Sequence, residues 1–225
     1  MNKGMNRIMF CKVSVMLKDN LSSDFDYLGF IDKIAERLGV KLQIFSQVPQ
    51  GMNSEQIASM PVQISRAIGI NDETEMQISP NNFVYVFKKE IESLPKVEKV
   101  LEAVSEEFSD IGANYALRYR LGVILTIITN REALERNVES IVGNNLAQKP
   151  EWQLSYLDKL NVNDEKLIIN KWKYYICNDE NKVFKHDLDI NTSVANNINI
   201  RDDLIKDVYK DFIQPVIKEA YDEFK

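Results

Sequence analysis

Between Tyr115 and Ile127 every second residue is apolar: Tyr115, Leu117, Tyr119, Leu121, Val123, Leu125 and Ile127. Successive side chains of a strand point to opposite faces, so this run predicts a long strand with one continuous apolar side. Such a side must be buried along its whole length. In a chain that also carries amphipathic helical patterns, this predicts a sheet backed by helices. The other side reads Ala116, Arg118, Arg120, Gly122, Ile124, Thr126 and Ile128, polar at first and then apolar again. Side chains two residues apart on a strand are about 6.8 Å apart, close enough for Arg118 and Arg120 to grip one anionic object or two neighbouring carboxylates.

Residues 8 to 17 alternate and predict a first strand. Ser23 is the predicted N-cap of the next helix, with Asp26 at capping-box spacing and Gly39 at its end. Its apolar residues are Phe25, Leu28, Ile31, Ile34, Ala35 and Leu38. "VKLQIF" predicts a short strand, followed by a polar loop with Pro49, Gly51 and Pro61. "VQISRAIGI", "EMQIS" and "NNFVYVFK" predict three more strands, and Pro95 opens a helix striped by Val97, Val100, Leu101, Val104, Phe108 and Ile111. Glu106, Glu107 and Asp110 are expected to be solvated on that helix.

After the long strand, Asn130 caps a helix that stops near Gly143. "EWQLSYL" predicts a strand, and a hairpin around "NDEN" joins "EKLIINKWKYYIC" to "KVFKHDLDI". A long final helix is predicted from about Asn199, bent by Pro215. Residues 1–112 and 113–225 thus repeat one order, strand, helix, two or three strands, helix. The expected fold is α+β: a largely antiparallel, curved sheet with helices on one face, pseudo-duplicated, integrated into one domain, with a long C-terminal helix.

The phrase "MQISPNNFVYVF" at 76–87 before a helix, "RLGV" at 120–123, and the closing "HDLDI" and "IRDDLIKDVYKDFI" resemble a sporadically distributed family of uncharacterised bacterial α+β proteins of similar length. The resemblance covers most of residues 60–225 and implies no activity. The element order is also similar to that of helix-on-curved-sheet folds of the TATA-binding-protein type, an analogy of fold that carries no function.

Composition narrows the chemistry. With 34 acidic against 28 basic residues the net charge is -6, which disfavours a broad nucleic-acid surface without excluding a local patch. Asn, Ile and Lys make up about three residues in ten, a bias that points to an AT-rich genome. The N-terminal apolar run is broken by Lys12, which favours a strand over a signal peptide, and no apolar stretch reaches the ~20 residues needed to span a bilayer. A cytoplasmic protein that does not enter membranes is expected, with Cys11 and Cys177 as free buried thiols.

His186 is the only histidine, so mechanisms that need two are excluded, and its place beside Phe184, Leu188 and Ile190 favours a core role over catalysis. "DLDIN" begins like a calcium loop, but Thr192 replaces the turn glycine and Ile198 the closing glutamate. No GxSxG, GxGxxG or GxxxxGK is present. No catalytic, metal or cofactor residue is therefore assigned.

Two sets of residues remain as candidates. Arg118 and Arg120, with Lys171, Lys173 and Tyr175 from a neighbouring strand, would form a cationic platform for a nucleotide, a nucleic-acid strand or an acidic partner. The plainer alternative is ion pairing with residues such as Glu75. Val208, Phe212 and Tyr221 lie on a terminal helix that either crosses its own domain or docks a second subunit. The leading expectation is a non-enzymatic interaction or regulatory accessory subunit of a mobile-element, phage or defence locus, with another protein or a second copy as partner. The alternative is a nucleotide or nucleic-acid binder.

Overall fold

The computed structural model describes residues 7–91, 95–112, 118–143, 148–162, 167–193, 198–199 and 205–222. The first stretch runs β1 (Arg7–Leu17), α1 (Tyr27–Leu38), β2 (Gln43–Ser46), α2 (Ser54–Ser59), β3 (Ala67–Ile70), β4 (Thr74–Ser79), β5 (Asn82–Phe87) and α3 (Pro95–Gly112). There follow β6 (Arg118–Ile128), α4 (Arg131–Val142), β7 (Glu151–Val162), β8 (Leu167–Asn178), β9 (Val183–Thr192) and β10 (Ile198–Asn199). The last helical pieces are α5 (Ile205–Val208), a π-helical turn (Tyr209–Ile213) and α6 (Gln214–Asp222).

All strands pair antiparallel in one open sheet of order β2-β3-β4-β5-β1-β6-β9-β8-β7, with β10 beside β6. The fold is α+β, as the alternation of strand and helix patterns implies. β1 and β6 form the centre, with Val13 opposite Val123 and Val15 opposite Leu121. The strand-for-strand duplication is not realised. Outward from β1 lie four strands, outward from β6 only three and the short β10, and α2 has no counterpart among the described residues of the second stretch.

One face of the sheet is buried under α1, α3, α4 and the terminal helical pieces. Cys11, Val13 and Val15 of β1, Leu121, Val123 and Leu125 of β6, and Leu188 and Ile190 of β9 join one core cluster with α1, α3 and the terminal pieces. A smaller cluster sets Ala133, Leu134 and Val138 of α4 on Trp152, Tyr175 and Cys177. Ile169 of the first cluster and Tyr175 of the second lie on the same side of β8, so both clusters occupy one sheet face. Gly69 lets α1 approach β3: a Cβ there would lie 2.7 Å from Ile31 Cγ2.

Local chemistry accounts for the helix ends and corrects three expectations. The cap of α1 is Asp26, not Ser23; Asp26 Oδ1 accepts the Gly29 N–H at 2.9 Å. α2, in a segment read as polar loop, is started by a reciprocal box between Asn53 and Gln56, each bond 2.9 Å. It buries no side chain, and the buried Arg66 guanidinium holds it through the carbonyls of Ile57, Met60, Pro61 and Ile64. A single long α-helix from Asn199 does not form. Asn199 lies in β10, and a proline at 215 would drive its ring into the Asp211 carbonyl of a regular helix. The turn ahead of it is widened instead, the Gln214 N–H bonding the Tyr209 carbonyl.

The expectation that Glu107 is solvated also fails. Its side chain is 4% exposed and accepts from Lys33 at 3.1 Å and from Arg37 at 3.4 Å, while Arg37 also bonds Glu106 at 2.6 Å and Asp110 at 3.0 Å. Above the Phe30–Phe108 ring contact, this cluster ties α1 to α3. Arg37→Ala is expected to cost about 1–2 kcal/mol of stability, because it leaves the buried Glu107 with Lys33 alone. Urea unfolding of the variant against wild type measures it.

Candidate functional site

The parity of β8 decides where the cationic candidates lie. Leu167, Ile169, Lys171, Lys173, Tyr175 and Cys177 alternate as its buried side, beneath the helices. Lys171 and Lys173 are only 7% and 4% exposed. The Lys171 ammonium lies 3.9 Å from Glu219 of α6. Tyr175 stacks on His186 with ring centroids 4.5 Å apart and planes within 10°. Burial, and then the charges of Lys173 and Lys171, push the His186 pKa down from 6.5 to about 3, so the imidazole is neutral.

Arg120 is on the opposite face, and β9 separates its strand from β8. The platform expected of Arg118, Arg120, Lys171, Lys173 and Tyr175 is therefore not assembled. Lys171, Lys173 and Tyr175 belong to the helix-covered side. Arg118 lies in β6 opposite Asn199, and its side chain is outside the described residues.

What surrounds Arg120 is a polar network on the open face. Its Nε donates to the Thr192 carbonyl at 2.8 Å, and a terminal nitrogen donates to Asn191 Oδ1. Asn191 also accepts from Asn170 at 3.1 Å and donates to Asp189 at 2.9 Å. Asp187 accepts from Thr126 at 2.6 Å and Lys185 at 2.8 Å. Glu75, the expected ion-pair partner, is three strands away on β4.

Between β1, β6 and β9 lies a hollow of about 150 Å³ lined by Ser14, Met16, Arg120, Gly122, Ile124, Asp189 and Asn191. Gly122 helps to keep it open, since a Cβ there would sit 2.9 Å from Ser14 Oγ. The same face presents apolar side chains to solvent: Met16 is 45%, Tyr174 38% and Phe10 36% exposed. Tyr174 stacks against Trp172 at 6.1 Å. No helix covers this region among the described residues.

The sequence reading found Arg120 but missed Asn191, Asp189 and Asn170. The signal was present in "DLDIN", where Asp187, Asp189 and Asn191 alternate and so share a face; it had been weighed only as a metal loop. The terminal candidates also move. Val208 is buried in the core, where it is not free to dock a second subunit, and the half-buried Phe212 packs against that core. The side chain of Tyr221 lies outside the described residues. Cys11 and Cys177 are buried free thiols, and burial pushes the Cys11 pKa up, away from thiolate chemistry. No cluster of metal-ligating residues occurs among the described residues, and none of the described helices is long and apolar enough to cross a membrane.

No protein-family model matches the chain, and no curated protein matches its sequence.

His186 gives a pH prediction. Its folded pKa lies below its unfolded value, so below pH 6.5 the unfolded chain takes up a proton that the folded chain refuses. Stability therefore falls as pH drops from 6.5 toward 3, by at most about 1.4 kcal/mol per unit from this residue. His186→Phe keeps the stack on Tyr175 and is expected to remove that part of the slope, read as the difference between wild-type and variant unfolding curves across the range.

Proposed function

We propose that this protein is a non-enzymatic, cytoplasmic interaction subunit whose open sheet face receives a segment of another protein. The observation that carries the reading is the hollow at Arg120, with exposed Met16 in its wall, on an open face that also exposes Phe10 and Tyr174. Its size decides against a small-molecule site, since pockets for cofactors and nucleotides usually run from about 300 to 1,000 Å³. About 150 Å³ suits one side chain of a partner. Methionine and aromatic residues exposed on the face that bears a polar socket have the composition of a protein-interface core.

The socket favours an acceptor side chain. Arg120 is held by a carbonyl and an amide, and no carboxylate bonds it directly among the described residues. Asp189, on the same wall, donates no hydrogen bond when ionised and would orient an amide or backbone N–H. A partner strand carrying Glu or Gln flanked by apolar residues matches both walls.

The alternative, a nucleotide or nucleic-acid binder, loses support because Lys171 and Lys173 face the helices. An accessory role in a mobile-element, phage or defence locus remains part of the proposal, and rests on the composition and the family resemblance.

Native mass spectrometry of the protein purified from its host is the test. A protein partner is expected, lost in both Arg120→Ala and Tyr174→Asp while circular dichroism stays unchanged. A partner of different sequence retained by both folded variants, or a bare chain carrying a small anion, overturns the reading.

A further inference from the structure

The two edges of the sheet are unequal. β2, at one end, has four residues, while β7, at the other, has twelve. Long free edges are ready templates for another strand, and folded proteins blunt them with bulges, prolines, inward charges or a covering segment. The ladder between β7 and β8 runs without a register shift from Glu151–Asn178 to Val162–Leu167, so no bulge twists the edge away. No proline interrupts it, and Lys159 is its only cation. Twelve residues offer about 40 Å of edge, with peptide groups alternately facing outward. No strand among the described residues pairs with that side.

We infer that β7 is a self-association edge, pairing antiparallel with β7 of a second copy about a twofold axis at Ser155. Its charges select this occupant and this register. In such a pair the two opposed residue numbers have a constant, even sum, which keeps the open faces of both copies on one side. Centring on Ser155 sets Glu151 opposite Lys159 of the second copy, twice by symmetry, and Leu154 opposite its Tyr156. The small serine then meets itself at the axis. Centring on Asp158 or Lys159 would oppose like charges, and no other centre brings Glu151 and Lys159 together. Both side chains are exposed on the open face. Asn178 occupies one Glu151 oxygen at 3.1 Å, and the other is available to the lysine.

This adds a second copy to the partner of the interaction reading, at a surface apart from the Arg120 hollow, so each can fail alone. The joined sheets would present two hollows on one continuous face.

The test is sedimentation equilibrium of the full chain at micromolar concentration. Wild type is expected to be dimeric, and Lys159→Glu, which opposes two pairs of glutamates, to raise the dimer dissociation constant about tenfold or more. Adding Glu151→Lys to that variant restores the opposite charges and the dimer. Ser155→Cys is expected to give a disulfide-linked dimer under mild oxidation, since Cys11 and Cys177 are both buried. A monomeric wild type, a dimer indifferent to Lys159→Glu, or a double variant that stays monomeric overturns the inference. Arg120→Ala serves as the separating control: it should abolish partner binding under the open-face reading and leave the dimer intact.

Discussion

The rest of the structure depends on the pairing of β1 with β6. Both strands have eleven residues and, beyond an irregularity between Ile8 and Phe10 of β1, they place Cys11, Val13 and Val15 beside Leu121, Val123 and Leu125 on one face. Because side-chain direction has a period of two, fixing that one register fixes which face of all nine ordered strands turns inward. Every helix that packs on the core is then confined to one side. The opposite side is left to whatever the even-numbered residues of β6, and of β1 from Phe10 onward, happen to be.

Those residues form a mixed surface of its own kind. Ser14 and Gly122 leave a gap, Arg120 is steadied at its rim by Asn191 and Thr192, and Met16 stands beside it. A strand whose second side is polar in one half and apolar in the other is what a partly covered face requires. Arginine held by neutral acceptors keeps its full charge while losing conformational freedom, which lowers the entropic cost of engaging a partner.

Much of the fold was legible in the sequence, and the reasons for the exceptions are specific. Asn130, Gly39 and Gly143 marked helix ends because caps act over a few bonds. Asp26 displaced Ser23 because the stretch "SSDFD" offers several competent caps, and packing of Tyr27 and Phe30 selects among them. α2 escaped because a helix that buries nothing leaves no apolar period, only its Asn53–Gln56 box. For Lys171 and Lys173, alternation showed correctly that they share a side with Tyr175, but both sides of β8 carry bulky apolar residues. Only the neighbours supplied by tertiary pairing reveal which side lies under α4 and α6. Asn191 and Asp189 required the knowledge that β9, and not β8, lies next to β6.

The position of β1 has a consequence for how the chain is made. It is synthesised well before β6, yet it belongs in the middle of the sheet, between β5 and a strand that begins only at Arg118. Until that strand emerges, one side of β1 has no intramolecular partner, and the hydrophobic face it shares with β5 is covered only by α1 and α3. The long sequence separation slows closure of the central ladder. The nascent first half is therefore the stage at which aggregation competes most strongly with folding, and the natural point for a chaperone to act.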